Sequence, residues 1–384
     1  MKSLAFSLLA LLLIGFGCAS GTDSADTAAP AAADDPPQWV TYEGDGGPGA
    51  GKQIVLVSGD EEYRSEEVLP ELAQILAGRH GFTTTVLFAQ DPAAPGIINP
   101  NYIENIPGLE KLADADLMVL FTRFRALPAE QMAHIENYLM DGNPLVAIRT
   151  ATHAFNYADY PDHPYAHWGN YHEDEGSPWH NGFGRLVLGE KWHTHHGHHK
   201  HQSARGVIAP GAENHPVTNG IADGDIWGPS DVYGVRLPMP EGTEPIFLGQ
   251  VIDRAGEYDE NDIHFGMRDT DTQLATTNPA TDGSYNPNDP LMPIAWTKPY
   301  QLPEGEEGLA FTSTIGAAND FLNEGVRRLL VNSVYYMLDM DVPEAADVAV
   351  VGAYNPTAYS FETDEYWIEK SLRIADYVGA TDND

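Results

Sequence analysis

Cysteine is nearly absent: the 384-residue chain carries one, Cys18. That excludes an intramolecular disulfide and a cysteine-built metal site, and it leaves any catalysis to His, Asp, Glu, Arg, Tyr, Ser or a metal. Basic residues are scarce as well. Twenty Lys and Arg stand against 57 Asp and Glu, a formal charge of -37. Such a surface repels nucleic acid and anionic membranes, so neither is expected as a partner. No apolar run reaches the roughly 20 residues that a membrane-spanning helix needs. HExxH, GxSxG and the P-loop are missing, and no GxGxxG follows a strand expected from the sequence. Zincin proteases, α/β-hydrolases and nucleotide-binding enzymes thereby lose support, and no nucleotide cofactor is expected.

The N-terminus reads as a targeting segment. Lys2 supplies a positive start, residues 4–16 an apolar run, and Gly15-Phe16-Gly17-Cys18 a small-residue cleavage region. The placement of Cys18 resembles a bacterial lipoprotein signal, in which that cysteine becomes the lipidated first residue. The expectation is an exported protein, either anchored by lipid in the cell envelope (periplasm) or secreted, with the membrane touched only through the anchor. Residues 19–50, rich in Ala, Asp, Pro, Gly and Thr, are expected to form a flexible linker.

From there the chain alternates. Residues 53–58 (QIVLVS) form an apolar run of strand length, followed by a helical pattern over 66–79. Further strand-like runs cover 82–88, 117–122 and 145–149, with a helix over 128–140. Regular patterns return at 245–249, 292–296 and 309–314, and a strong amphipathic helix follows over 320–338. This order predicts an α/β fold: a parallel sheet with helices on both faces and long loop insertions. The stretch 150–206 is expected as a functional loop and 253–290 as a polar excursion. Residues 51–342 would then be one domain and 343–384 a C-terminal extension without clear period.

The tract 191–202, KWHTHHGHHKHQ, holds six imidazoles within eleven residues. Neutral imidazole is the commonest metal ligand, and Zn²⁺ takes N and O donors in a tetrahedral shell. His193, His195, His196 and His199 are the candidate ligands, with Zn²⁺ the ion expected. If the tract is extended, its period of two puts His193, His195, His199 and His201 on one side. The competing reading is a set of hydrogen-bonding histidines in an acidic protein.

Open parallel sheets bind ligands beyond the carboxyl ends of their strands. The loops expected there carry Asp60, Glu61, Glu62 and Tyr63, then Arg123-Phe124-Arg125, then Arg149 to His153. His153, Asp60, Arg149 and Tyr233 are the catalytic candidates. Asp60 has a helix-capping alternative, Arg149 an ion-pair alternative, and His153 a purely structural one. Trp168, Tyr171, Trp179 and Trp192 are candidates either to stack on sugar faces or to pin the loop. Trp227, Asp231 and Tyr233 are placed to close the other side of the pocket.

Several of these segments resemble the ThuA-like (trehalose utilisation) family, a branch of the class I glutamine amidotransferase-like superfamily. They are QIVLVSGDEEYRSEEVLPEL, PLVAIRTATHAF, GFGRLVLGEKWHTHHGHHKHQS, HPVTNGI, PIAWTKPY and LAFTSTIGAANDFLNEGVRRLLVNSVYYML. The resemblance runs over about residues 52–341, and the histidine tract is similar to that of a secreted subgroup. It implies a flavodoxin-like fold and a small-molecule carbohydrate partner, a disaccharide or oxidised sugar. The amidotransferase turn carries a Cys where this chain has Arg149, Thr150 and Ala151, so that nucleophile is missing. Many relatives place a His soon after this strand; here His153 comes four residues on. The expected function is an exported carbohydrate-acting protein performing metal-assisted hydrolysis, isomerisation or elimination. The alternative is a non-catalytic carbohydrate- or metal-binding lipoprotein.

Overall fold

The first regular element falls inside the expected linker. The computed structural model describes residues 35–378; Cys18, the leader and residues 19–34 lie outside them. Strand β1 (Trp39–Tyr42) pairs antiparallel with β3 (Thr83–Phe88), so this part of the linker is sheet edge instead. Strand β2 (Gln53–Gly59) follows, with α1 (Ser65–His80) crossing back to β3. Next come β4 (Leu117–Thr122), α2 (Ala129–Met140) and β5 (Leu145–Ile148). The second half adds β6 (Gln202–Ile208), β7 (Trp227–Gly228), β8 (Glu244–Asp253), β9 (Met292–Gln301), β10 (Glu307–Ser313), α3 (Glu324–Met337) and α4 (Asp364–Lys370).

The strands build one ten-stranded sheet in the order β1-β3-β2-β4-β5-β10-β9-β8-β6-β7. Five of them, β3, β2, β4, β5 and β10, are mutually parallel, each register running in step. Beyond β10 the sheet is antiparallel, which corrects the expectation of an all-parallel sheet. The reason is connection length: residues 302–306 join β9 to β10, and so short a link can only turn back, whereas a parallel pair needs a crossover of a dozen residues or more.

Burial explains why the central strands are continuously apolar. On β2, Ile54 and Leu56 pack into one core layer with Leu69 and Leu72 of α1 and Leu329 and Leu330 of α3. Val55 and Val57 pack into the opposite layer with Met132 and Ile135 of α2. Both faces of a parallel sheet are thus covered, and alternation of polarity has no place on such strands. The segment after residue 342 docks on the same compact unit, burying Val351, Tyr359, Trp367 and Ile374.

Candidate functional site

The loops at the carboxyl ends of β2, β4, β5 and β10 converge, as parallel strands require, and a buried carboxylate sits at their centre. Asp231, from the loop after β7, accepts hydrogen bonds from His195 Nδ1 at 2.8 Å and His199 Nδ1 at 3.0 Å. A third comes from Arg149 Nη2 at 3.2 Å. Burial alone would raise the Asp231 carboxyl, but His195, His199 and Arg149 hold it far below the usual carboxylate range. Its three partners thus favour the ionised form of Asp231.

Arg149 is the residue that fixes this anion. It follows β5 directly in the left-handed region, φ 47°, a conformation costing a non-glycine residue about 1–3 kcal/mol that persists only where its surroundings over-determine it. The surroundings do so here. The guanidinium lies between the rings of Tyr63 and Tyr233, at 4.3 and 4.1 Å, and also donates to the carbonyls of Asp231 and Thr314. It is fully buried, so it grips Asp231 and reaches no pocket ligand. Tyr233 is likewise buried, a wall of the Arg149 cage whose hydroxyl burial pushes upward in pKa.

The histidine tract is folded differently from the extended reading. His195 forms one bridge with Tyr233, and residues 198–202 then turn, with the amides of His201 and Gln202 donating to the His198 carbonyl and Lys200 at φ 61°. That turn brings His195 and His199 together, ring centroids 4.7 Å apart. One ligand atom each from His195, His199 and Asp231 lies within 4.8 Å of the others. His196 points elsewhere: its Nε2 bonds the Pro287 carbonyl and its ring rests on Tyr285. His193 stands at the pocket wall near Gly234, outside this cluster. Burial lowers both in pKa, leaving them neutral.

The cluster opens onto a cavity of about 460 Å³ lined by Trp192, His193, His195, His198, His199 and His201, with Asn278 and Thr281 from the polar excursion. Among the described residues, no Asp, Glu, Lys or Arg lines it. Of the aromatic candidates, Trp168 and Trp179 are buried and stacked on each other at 4.6 Å, so they pin the loop, while Trp192 lines the cavity. Tyr171 is half exposed and stacks on Phe124.

Glu62, which the sequence offered only as one acid among three, has a defined position. Its Oε1 lies 3.4 Å from His199 Nε2 and its other oxygen 3.5 Å from Arg123 Nε. Burial pushes its carboxyl up to about 7, against the pull of Arg123. Asp60 is wholly buried, accepting from the Glu62 and Tyr63 amides and the Thr150 hydroxyl; it ties the β2 loop to the β5 loop. Glu61 pairs with Arg123 and Arg125. His153 is buried between Phe124 and Trp192, ring centroids at 4.8 and 5.2 Å, and burial with Arg123 and Arg149 nearby drives its pKa well down. It sits behind the cavity wall as a neutral ring.

Opposed shifts mark the site. Asp231 overcomes burial to raise His195, whereas burial prevails at His199 and lowers it. The two imidazoles that share Asp231 thus differ in basicity, His195 holding a proton more readily than His199.

No protein-family model and no curated protein matches this sequence. Two solved structures resemble it, of proteins described as ThuA-like from Bacteroides uniformis and Parabacteroides merdae. Their TM-scores are 0.45 and 0.41, at 14% and 13% identity. The alignments cover 82% and 81% of this chain and 97% of each of the other two.

Proposed function

We propose that the chain is a ThuA-like, carbohydrate-acting enzyme whose site is completed by a divalent ion, Zn²⁺ by donor chemistry, held by His195, His199 and Asp231. The single observation that carries this is the convergence of those three ligand atoms, with an outer partner already in place for His199 and Asp231. His199 offers Nδ1 toward Asp231 while its Nε2 meets Glu62, the carboxylate–histidine arrangement that orients ligating imidazoles. Arg149 does the same for Asp231. The His–Asp separations of 2.8 and 3.0 Å are close to the edge of a tetrahedron with bonds of about 2.0–2.1 Å, roughly 3.3 Å. The two His–Asp pairs need part by only a few tenths of an ångström.

Such an ion supplies Lewis acidity toward a sugar carbonyl or a more acidic bound water. The chain supplies the rest. Glu62, titrating near 7, takes or returns a proton through His199 Nε2. Trp192 offers a ring face to a pyranose, and a lining without Asp, Glu, Lys or Arg suits a neutral polyol. The order β3-β2-β4-β5-β10, which is 2-1-3-4-5 by sequence, supports a flavodoxin-like parallel core. The leader reading supports export, with Cys18 as the lipid anchor.

Elemental analysis of purified protein, with turnover assayed on oxidised and unoxidised disaccharides, tests the reading. About one equivalent of metal is expected in the wild type and a small fraction of that in His195→Ala and His199→Ala, with turnover lost in both. Negligible metal in the wild type, with both variants fully active, overturns it.

A further inference from the structure

The C-terminal extension returns to the site that its sequence gave no reason to expect there. Residues 351–362 run across the start of α1 and are clipped to it by buried polar groups. Glu71 accepts from the Val351 amide at 2.7 Å, and Glu67 from the Thr357 amide and hydroxyl at 2.8 and 2.9 Å. Arg64, left-handed at φ 61° and 1% exposed, donates to Thr357 Oγ1, Ser360 Oγ and Glu362 Oε1 at 3.0–3.1 Å. The Ser360 amide donates to the carbonyl of Glu62 at 3.0 Å.

What these clips deliver is Tyr359. It has no exposure, and its ring meets Tyr63 at 5.0 Å, His199 at 5.2 Å and Phe265 at 4.9 Å. Its hydroxyl donates to the Pro229 carbonyl, two residues before Asp231, at 3.3 Å. One side chain thus touches the β2 loop, the histidine turn, the polar excursion and the loop bearing Asp231. Packing against His199, with the two rings tilted at 57°, limits that ring to the rotation in which Nδ1 reaches Asp231 and Nε2 reaches Glu62.

We propose that the strap 351–362 is a working part of the site, and that Tyr359 is a positioning residue that sets the orientation of His199. The metal arm of its test rests on the ion-binding reading above; the geometric arm does not. The experiment uses full-length protein with Tyr359→Leu, Tyr359→Phe and Thr357→Val. Zn²⁺ affinity is measured by competition with a chromogenic chelator, and the His199 tautomer by ¹⁵N imidazole NMR of the metal-free protein.

The wild type should show His199 protonated on Nδ1. Tyr359→Leu should mix the tautomers and weaken Zn²⁺ binding by about 10–100-fold, the range for removing an outer support of a metal ligand. Tyr359→Phe keeps the ring and should stay within about threefold of wild type, the rescue that a general loss of stability would not give. Thr357→Val loosens the strap without touching the ring and should lie between; it decides the matter if Tyr359→Leu fails to fold. A folded Tyr359→Leu, or in its place Thr357→Val, with wild-type tautomer and affinity overturns the proposal. If wild type and His195→Ala bind Zn²⁺ equally poorly, the metal reading fails, and the tautomer measurement alone then confirms or overturns the role of Tyr359.

Discussion

Glu66, in the first turn of α1, is 1% exposed, and among the described residues neither of its carboxyl oxygens has a hydrogen-bond partner. Burial, with Glu67 adding to it, pushes this carboxyl up to about 8; Arg64 and Lys370 oppose the shift without cancelling it. In the unfolded chain the same group titrates near 4.3. The folded value is the higher one, so its contribution to stability is full below about pH 4 and is lost as pH rises through 8. Glu66→Gln keeps the shape and removes the titration. Urea unfolding at pH 5, 7 and 9 should show the wild type losing about 4 kcal/mol relative to Glu66→Gln across that range. Parallel pH profiles for the two proteins would sink the assignment. Neither this group nor Glu62 stood out in the sequence, where both belong to a run of acids before a helix; their shifts arise from packing by segments hundreds of residues away.

At the scale of elements, α1 contains a proline, Pro70, which has no N–H to give to the carbonyl of Glu66 four residues earlier. A distant segment fills the gap. The hydroxyl of Tyr377, from the short helical turn Ile374–Tyr377, donates to the Glu66 carbonyl at 3.1 Å. Tyr377→Phe should cost about 1–3 kcal/mol by leaving that carbonyl unpaired. In a Pro70→Ala background, where the restored backbone N–H closes the helix bond, the same change should cost under about 0.5 kcal/mol. A double-mutant cycle by urea denaturation measures the difference, and additive effects would remove the explanation. The sequence showed the helix, expected over 66–79 and found as Ser65–His80. It did not show the partner, because the tail docks through single side chains such as Tyr354, Tyr359 and Ile374, each filling its own recess, and that leaves no period to read.

For the whole molecule the dominant fact is the charge of -37. Self-repulsion of that size works against the compact state, and salt relieves it as the screening length falls from about 10 Å at 0.1 M to about 3 Å at 1 M. Raising NaCl from 0.05 to 1 M at pH 7 should lift the Tm by roughly 1–3 °C, as 1–2 kcal/mol would for a chain of this size. An uncharged osmolyte at matched osmolality serves as the control. A melting temperature that is flat or falls with NaCl contradicts the account.

The sequence by itself determined that strands and helices alternate, that both faces of the central strands are covered, and that the candidate site draws on imidazoles and carboxylates. It also placed the candidate site at the carboxyl rim of the sheet. These follow from short-range pattern, since burial on one or two faces imposes periods of 2 or 3.6 residues or abolishes them. Only the tertiary structure decided which histidines meet. His195 and His199 are joined by a tight turn and not by strand alternation, His196 is drawn off by Pro287, and Asp231 arrives from more than thirty residues on. Tyr359 comes from farther still. A cluster of this kind is a closure of distant loops, and no local period encodes it.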